Sequence, residues 1–200
     1  GCVGYRGYFS EADARAEAEQ LMAEGLEVSV YGVPAYSTLG WMNWAGGDPL
    51  LNTFINYPEG ELARMIFHEL AHQVLYVKDD TMFNESFATA VERIGSKRWL
   101  AAQASPTARG DYAAFDARRQ QFRALALATR NKLQRIYEPN QASALDRYAQ
   151  LAMKNVAMQE FRNEYARLKS GWGGYSGYDS WVANANNAAF GAQAAYDELV

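Results

Sequence analysis

Cysteine and histidine are scarce in this sequence, with one of the first and two of the second in 200 residues. A single cysteine excludes a disulfide framework or a cysteine-rich metal cluster within the chain. With only two histidines, any imidazole-based metal site uses His68, His72 or both. There is no basic excess either. Lys and Arg total 19 against 23 Asp and Glu, for a net charge of −4, which speaks against a nucleic-acid partner. No apolar run approaches the ~18 residues of a membrane-spanning helix. What the chain has in quantity is hydrophobic side chains, 49%, with 14% aromatic. That excludes a disordered chain and supplies a core for one domain, or at most two small ones. The sequence begins at Gly1-Cys2 without a methionine, as expected of a processed product or a piece of something longer. Cys2 is expected to be a small buried side chain rather than a lipid anchor.

Local patterns predict a mostly helical α+β protein. Ser10 caps a helix that Gly25 ends. Residues 26–31 alternate with period two and read as a strand, and 36–57 hold candidates for further short strands. Pro58, with Glu59 and Glu61 after it, starts a helix in which Leu62, Ile66, Leu70 and Val74 form the expected buried stripe. Lys78-Asp79-Asp80 is a turn. A helix follows from about Phe83 to Ile94, stopped by Gly95, and a short one around Trp99. Ser105-Pro106 opens a boundary before two long helical patterns, about 111–137 and 141–169, split by Glu138-Pro139-Asn140. Each spans roughly 40 Å, and the short connection implies an antiparallel hairpin in which Leu125, Leu133, Leu145 and Leu151 serve packing. A last helix is expected from Ser180 to the end. The segments divide as 1–104, a core; 105–170, the hairpin; and 171–200, a C-terminal helix packing back on the core, all expected within one compact domain.

Both histidines lie in His68-Glu69-Leu70-Ala71-His72. Within a helix, residues four apart share a face, so both imidazoles can reach one metal ion. Glu69 projects beside them, placed to take a proton from a water nucleophile. Leu70 and Ala71 are expected to point away and pack. A catalytic zinc site needs a third protein ligand and an open position. Glu85, after a turn and at the start of the next helix, is the candidate. A glutamate there also favours a helix N-terminus for its own sake, but beside H-E-x-x-H the ligand role is the preferred reading. Glu92, seven residues on and on the same face, could hold the outer nitrogen of a ligand histidine or form a salt bridge to Arg93 or Arg98.

His68-Glu69-Leu70-Ala71-His72-Gln73 with Asn84-Glu85-Ser86-Phe87-Ala88 and Glu92 resembles the H-E-L-A-H-Q and N-E-G-F-A-x-x-x-E pair of gluzincin aminopeptidases. More closely, residues 35–41, 48–51, 67–76 and 83–92, with Asn186-Asn187-Ala188, resemble a family of bacterial proteins described as predicted aminopeptidases. The resemblance implies a thermolysin-like core with a small sheet, a Zn²⁺ cofactor on His68, His72 and Glu85, a peptide substrate and, from family members that carry a lipoprotein signal, the bacterial cell envelope or periplasm. This chain departs from the better-characterised gluzincins in two ways. The spacing from His72 to Glu85 is shorter, and Gly40-Trp41-Met42-Asn43 lacks the amine-binding carboxylate of G-x-M-E-N. Tyr36, Tyr175 and Tyr178 are candidates for steadying the substrate oxyanion. The segment from Tyr36 to Trp41 could line an extended peptide or be an aromatic core.

Three other classes compete with this reading. A di-iron bundle needs a second E-x-x-H, and there is no third histidine. A deformylase needs a cysteine ligand, and Cys2 lacks a matching motif. The remaining alternative is a catalytically inactive, peptidase-like module that binds peptides or a partner.

Overall fold

The computed structural model describes residues 6–32, 57–78, 80–103, 105–138 and 146–192. About 78% of the described residues are helical, and none of them forms a strand. This corrects the expectation of an α+β fold with a thermolysin-like core and a small sheet. Residues 26–32 are irregular. A strand requires a neighbour for its backbone groups, and among the described residues none supplies a ladder here. Val28 O instead accepts from the side chain of Asn186, at 2.8 Å. The expected strand candidates at 33–56 lie outside the described residues.

The helices are α1 (Glu11–Ala23), α2 (Glu59–Val74), α3 (Thr81–Gln103), α4 (Pro106–Tyr137), α5 (Arg147–Gly171), α6 (Asp179–Asn184) and α7 (Asn187–Ala192). They fall into two compact units, one of residues 1–30 with 118–193 and one of 31–117 with 194–200. No helix among the described residues is long and apolar enough to cross a membrane.

In the first unit, Ser10 Oγ accepts from Asp13 N at the start of α1, and Gly25 takes a positive φ of 85° after its end, a conformation that costs glycine little. The later part of α4 and the whole of α5 run antiparallel. Gln121 bonds Trp172, while Lys132 bonds Glu160. Phe122, Ala126, Leu133 and Ile136 of α4 meet Ala157, Met158, Phe161 and Tyr165 of α5, and Val182, Ala185 and Phe190 close the cluster. Leu125 packs against it, but Leu151 is half exposed, and Leu145 lies outside the described residues. Chain direction breaks between α6 and α7 because Asn186 caps the second of them, its Oδ1 accepting from Ala189 N at 3.0 Å.

In the second unit, α2 and α3 form an antiparallel helical hairpin. Gly95 does not end a helix. α3 runs through it to Gln103, and the missing side chain serves close approach, because a Cβ there would lie 2.7 Å from the Phe67 ring. Gly60 makes similar room for Tyr112, at 2.5 Å. α4 begins at Pro106 rather than at 111. Ser105 Oγ accepts from Ala108 N, and proline at the first helical position gives up only an N–H that would have no helical partner. The expected buried stripe of α2 fails at its C-terminal half. Leu70 is 48% and Val74 81% exposed, while Glu61, Ala63, Ala71 and His72 are buried. Leu62 and Ile66 are half-buried, so the stripe that period alone predicts turns outward in the second half of a helix whose inner side carries charge.

Candidate metal centre

α2 presents Arg64, His68 and His72 at four-residue steps, so all three project from one side. α3 presents Glu85 and Glu92, two turns apart, toward them. The turn between the helices is held by Asn84, which is buried and bonds both backbone groups of Val77. Asp80 Oδ1 accepts from Phe83 N at 2.9 Å and so closes the first turn of α3. These two contacts fix where Glu85 leaves the helix.

His68 Nε2 lies 3.3 Å from Glu85 Oε2 and 3.3 Å from His72 Nε2. His72 Nε2 lies 3.8 Å from Glu85 Oε1. One ligand atom from each residue fits within 4.8 Å of the others, and the three residues form a group that could hold a metal ion. The spacing suits a small ion. Tetrahedral ligands at ~2.0–2.1 Å from their centre stand about 3.3–3.4 Å from one another. The chemistry of the set suits a cation as well. Glu92 Oε2 is 2.9 Å from His68 Nδ1; since a carboxylate can only accept, that nitrogen carries the proton. Neutral His68 then turns the lone pair of Nε2 toward Glu85, an arrangement of two electron-rich atoms that a cation or a proton must separate.

Without a metal the proton fills that role. Burial by itself would lower the pKa of His68, but its hydrogen bonds to Glu85 and Glu92, with the charges of Glu92 and Glu69, outweigh it and raise the pKa to about 9. His72 goes the other way. Burial lowers it, and neighbouring His68 adds to the effect against the attraction of Glu85. Its Nδ1 is buried with no partner among the described residues, so packing places this ring, edge-on to His68 with centroids 5.0 Å apart.

Of the residues expected at the site, the structure therefore brings together His68, His72, Glu85 and Glu92. Glu69 is half-buried on the same helix and near enough for its charge to bear on His68. Ala71 is buried, whereas Leu70 is exposed. Tyr178 belongs to the other unit, where its ring stacks on Phe122 at 4.1 Å and 9°; Tyr175 is in that unit too, under the Arg118 guanidinium. Tyr36 lies outside the described residues. Sequence reading missed two residues here. Asn84 is part of the quoted motif but carries no signal of its contact with Val77. Arg64, which pairs with Glu92, stands 28 positions from it and is one of many arginines.

The site is thus a two-histidine, one-glutamate cluster on a helical hairpin, able to hold a metal ion, with a further carboxylate beside it. The family described as "Putative aminopeptidase" matches residues 1–200, and the chain belongs to it. The family's name indicates a peptidase acting at free amino termini. No curated protein and no solved structure matches the chain.

Proposed function

We propose that the protein is a zinc-dependent aminopeptidase, with His68, His72 and Glu85 holding the ion and Glu69 acting as general base. The observation that carries this reading is the spacing of the three ligand atoms, 3.3, 3.3 and 3.8 Å, with Glu69 next in sequence to the first of them. Two imidazoles and one carboxylate are a donor set of catalytic zinc sites. Bound zinc supplies Lewis-acid activation of water and of the scissile carbonyl at neutral pH.

The chain's own residues do the rest. Glu69 accepts the proton of the attacking water and returns it to the leaving amine, the task of a carboxylate within reach of both. Glu92 holds His68 by its Nδ1–H, which leaves Nε2 facing Glu85 and His72, free to serve as a metal ligand. Asn84 anchors the turn from which Glu85 projects. The choice of a terminal peptide bond rests on family membership.

The test is a peptide library with free and blocked N-termini, run on zinc-loaded wild type and on Glu69→Gln. The wild type should cleave free N-termini. The variant should keep its zinc and lose about 10²–10⁴-fold in turnover. A metal-replete variant with full activity removes Glu69 from the mechanism. A zinc-loaded wild type that cleaves no peptide in the library points instead to an inactive binding module.

A further inference from the structure

We infer that Arg64 is a positioning residue for the metal centre, acting through Glu92. The inference rests on the metal-site reading above and extends it by one layer of side chains.

Glu92 divides its two oxygens. Oε2 faces His68 Nδ1 at 2.9 Å, and Oε1 is taken by an Arg64 terminal nitrogen. Arg64 is itself held from behind, its Nε 3.3 Å from Glu61 Oε2. Glu61 and Glu92 are both buried, and Arg64 is three-quarters so. Two carboxylates in that environment are tolerated only when a cation satisfies them. A guanidinium suits the place because its planar fork sends donors to two acceptors at fixed angles. Glu61, Arg64 and His68 lie on one side of α2, at steps of three and four, and Glu92 comes from α3. The chain Glu61–Arg64–Glu92–His68 therefore connects the first turn of α2 to a ligand two turns later by way of the neighbouring helix. With Oε1 held by Arg64, the Glu92 carboxylate is turned so that Oε2 faces His68. Loss of Arg64 removes that hold and weakens the contact that directs Nε2.

Cobalt(II) is the probe, because its visible absorption reports coordination geometry apart from any activity. Wild type should bind one cobalt ion. Arg64→Met should weaken binding about tenfold, the low end for partners of metal-ligating histidines, and change the visible bands. Arg64→Lys keeps the charge but not the fork and should fall between. Glu92→Gln should also weaken binding, and Arg64→Met added to Glu92→Gln should cost nothing further, since the path is already broken. If Arg64→Met does not fold by circular dichroism, Arg64→Lys with and without Glu92→Gln makes the same comparison. Unchanged affinity and bands in folded Arg64 variants overturn the inference and leave the metal reading intact. So does a loss that recurs in full on top of Glu92→Gln, which would make Arg64 a structural residue only. A wild type that binds neither cobalt nor zinc overturns both.

Discussion

Asn84 grips Val77 by both of its backbone groups: the Asn84 side-chain amide donates to Val77 O at 2.7 Å, and Val77 N donates to Asn84 Oδ1 at 2.8 Å. A backbone segment that has just left a helix and is about to enter another has polar groups without a ladder. One amide side chain satisfies two of them. Replacing Asn84 by Ala should cost about 1–3 kcal/mol, the range for leaving such groups unpaired. Because Glu85 follows directly, the same variant should bind zinc more weakly than a variant equally destabilised in the first unit. Urea unfolding and metal titration check the two parts separately.

Gly95 of α3 lies against the Phe67 ring of α2. Adding one methyl group at Gly95 places it 2.7 Å from the ring, so either the ring or the helix must move. Gly95→Ala should destabilise by about 1–3 kcal/mol, as overpacking does. Gly95→Ala combined with Phe67→Leu should recover part of it. Denaturant midpoints of the three variants decide this.

Each ligand position should matter to metal content in the same direction. His68→Ala, His72→Ala and Glu85→Ala each leave two ligands, too few to retain an ion through dialysis. Metal analysis after dialysis should find zinc near one per chain in the wild type and little in any of the three. Normal zinc in Glu85→Ala would remove Glu85 from the site.

Asp179 carries an acid-sensitive contact of the first unit. It accepts from Tyr165 Oη and from Lys169 Nζ, both at 2.5 Å. Lys169 chiefly, then Tyr165, holds the Asp179 pKa below its usual value. A carboxylate whose folded pKa is depressed adds stability that is fully present above its unfolded pKa of ~3.9 and is lost as pH falls through the lower folded value. Melting temperature should therefore fall less on acidification in Asp179→Asn than in the wild type. Parallel curves for the two proteins between neutral pH and pH of about 2 would count against the contact.

Much of this site is local and was readable from the chain. His68, Glu69 and His72 share a helix because of their spacing, and a helix puts residues four apart on one side wherever it occurs. Ser10 acts within a turn of its own position, so its capping role follows from side-chain chemistry alone. Gly95 could not be read in this way. Its glycine signal is the same whether a helix ends or another ring presses on it, and only the arrival of Phe67 from α2 distinguishes the two. The pairing of Glu92 with Arg64 has the same character, since a buried carboxylate takes whichever cation the fold brings, and the nearer arginines in sequence are on the exposed side of α3. Leu70 and Val74 show the limit from the other direction. Periodicity says that they share a side with Leu62 and Ile66, but which side of a helix is buried depends on what it packs against, and α3 meets the side bearing His68 and His72. The residues at 26–31 alternate as a strand should, yet a strand exists only when another chain segment accepts its hydrogen bonds. Sequence determined that His68 and His72 share one helix face; the tertiary structure decided which neighbours meet them there, because burial and pairing belong to two segments at once.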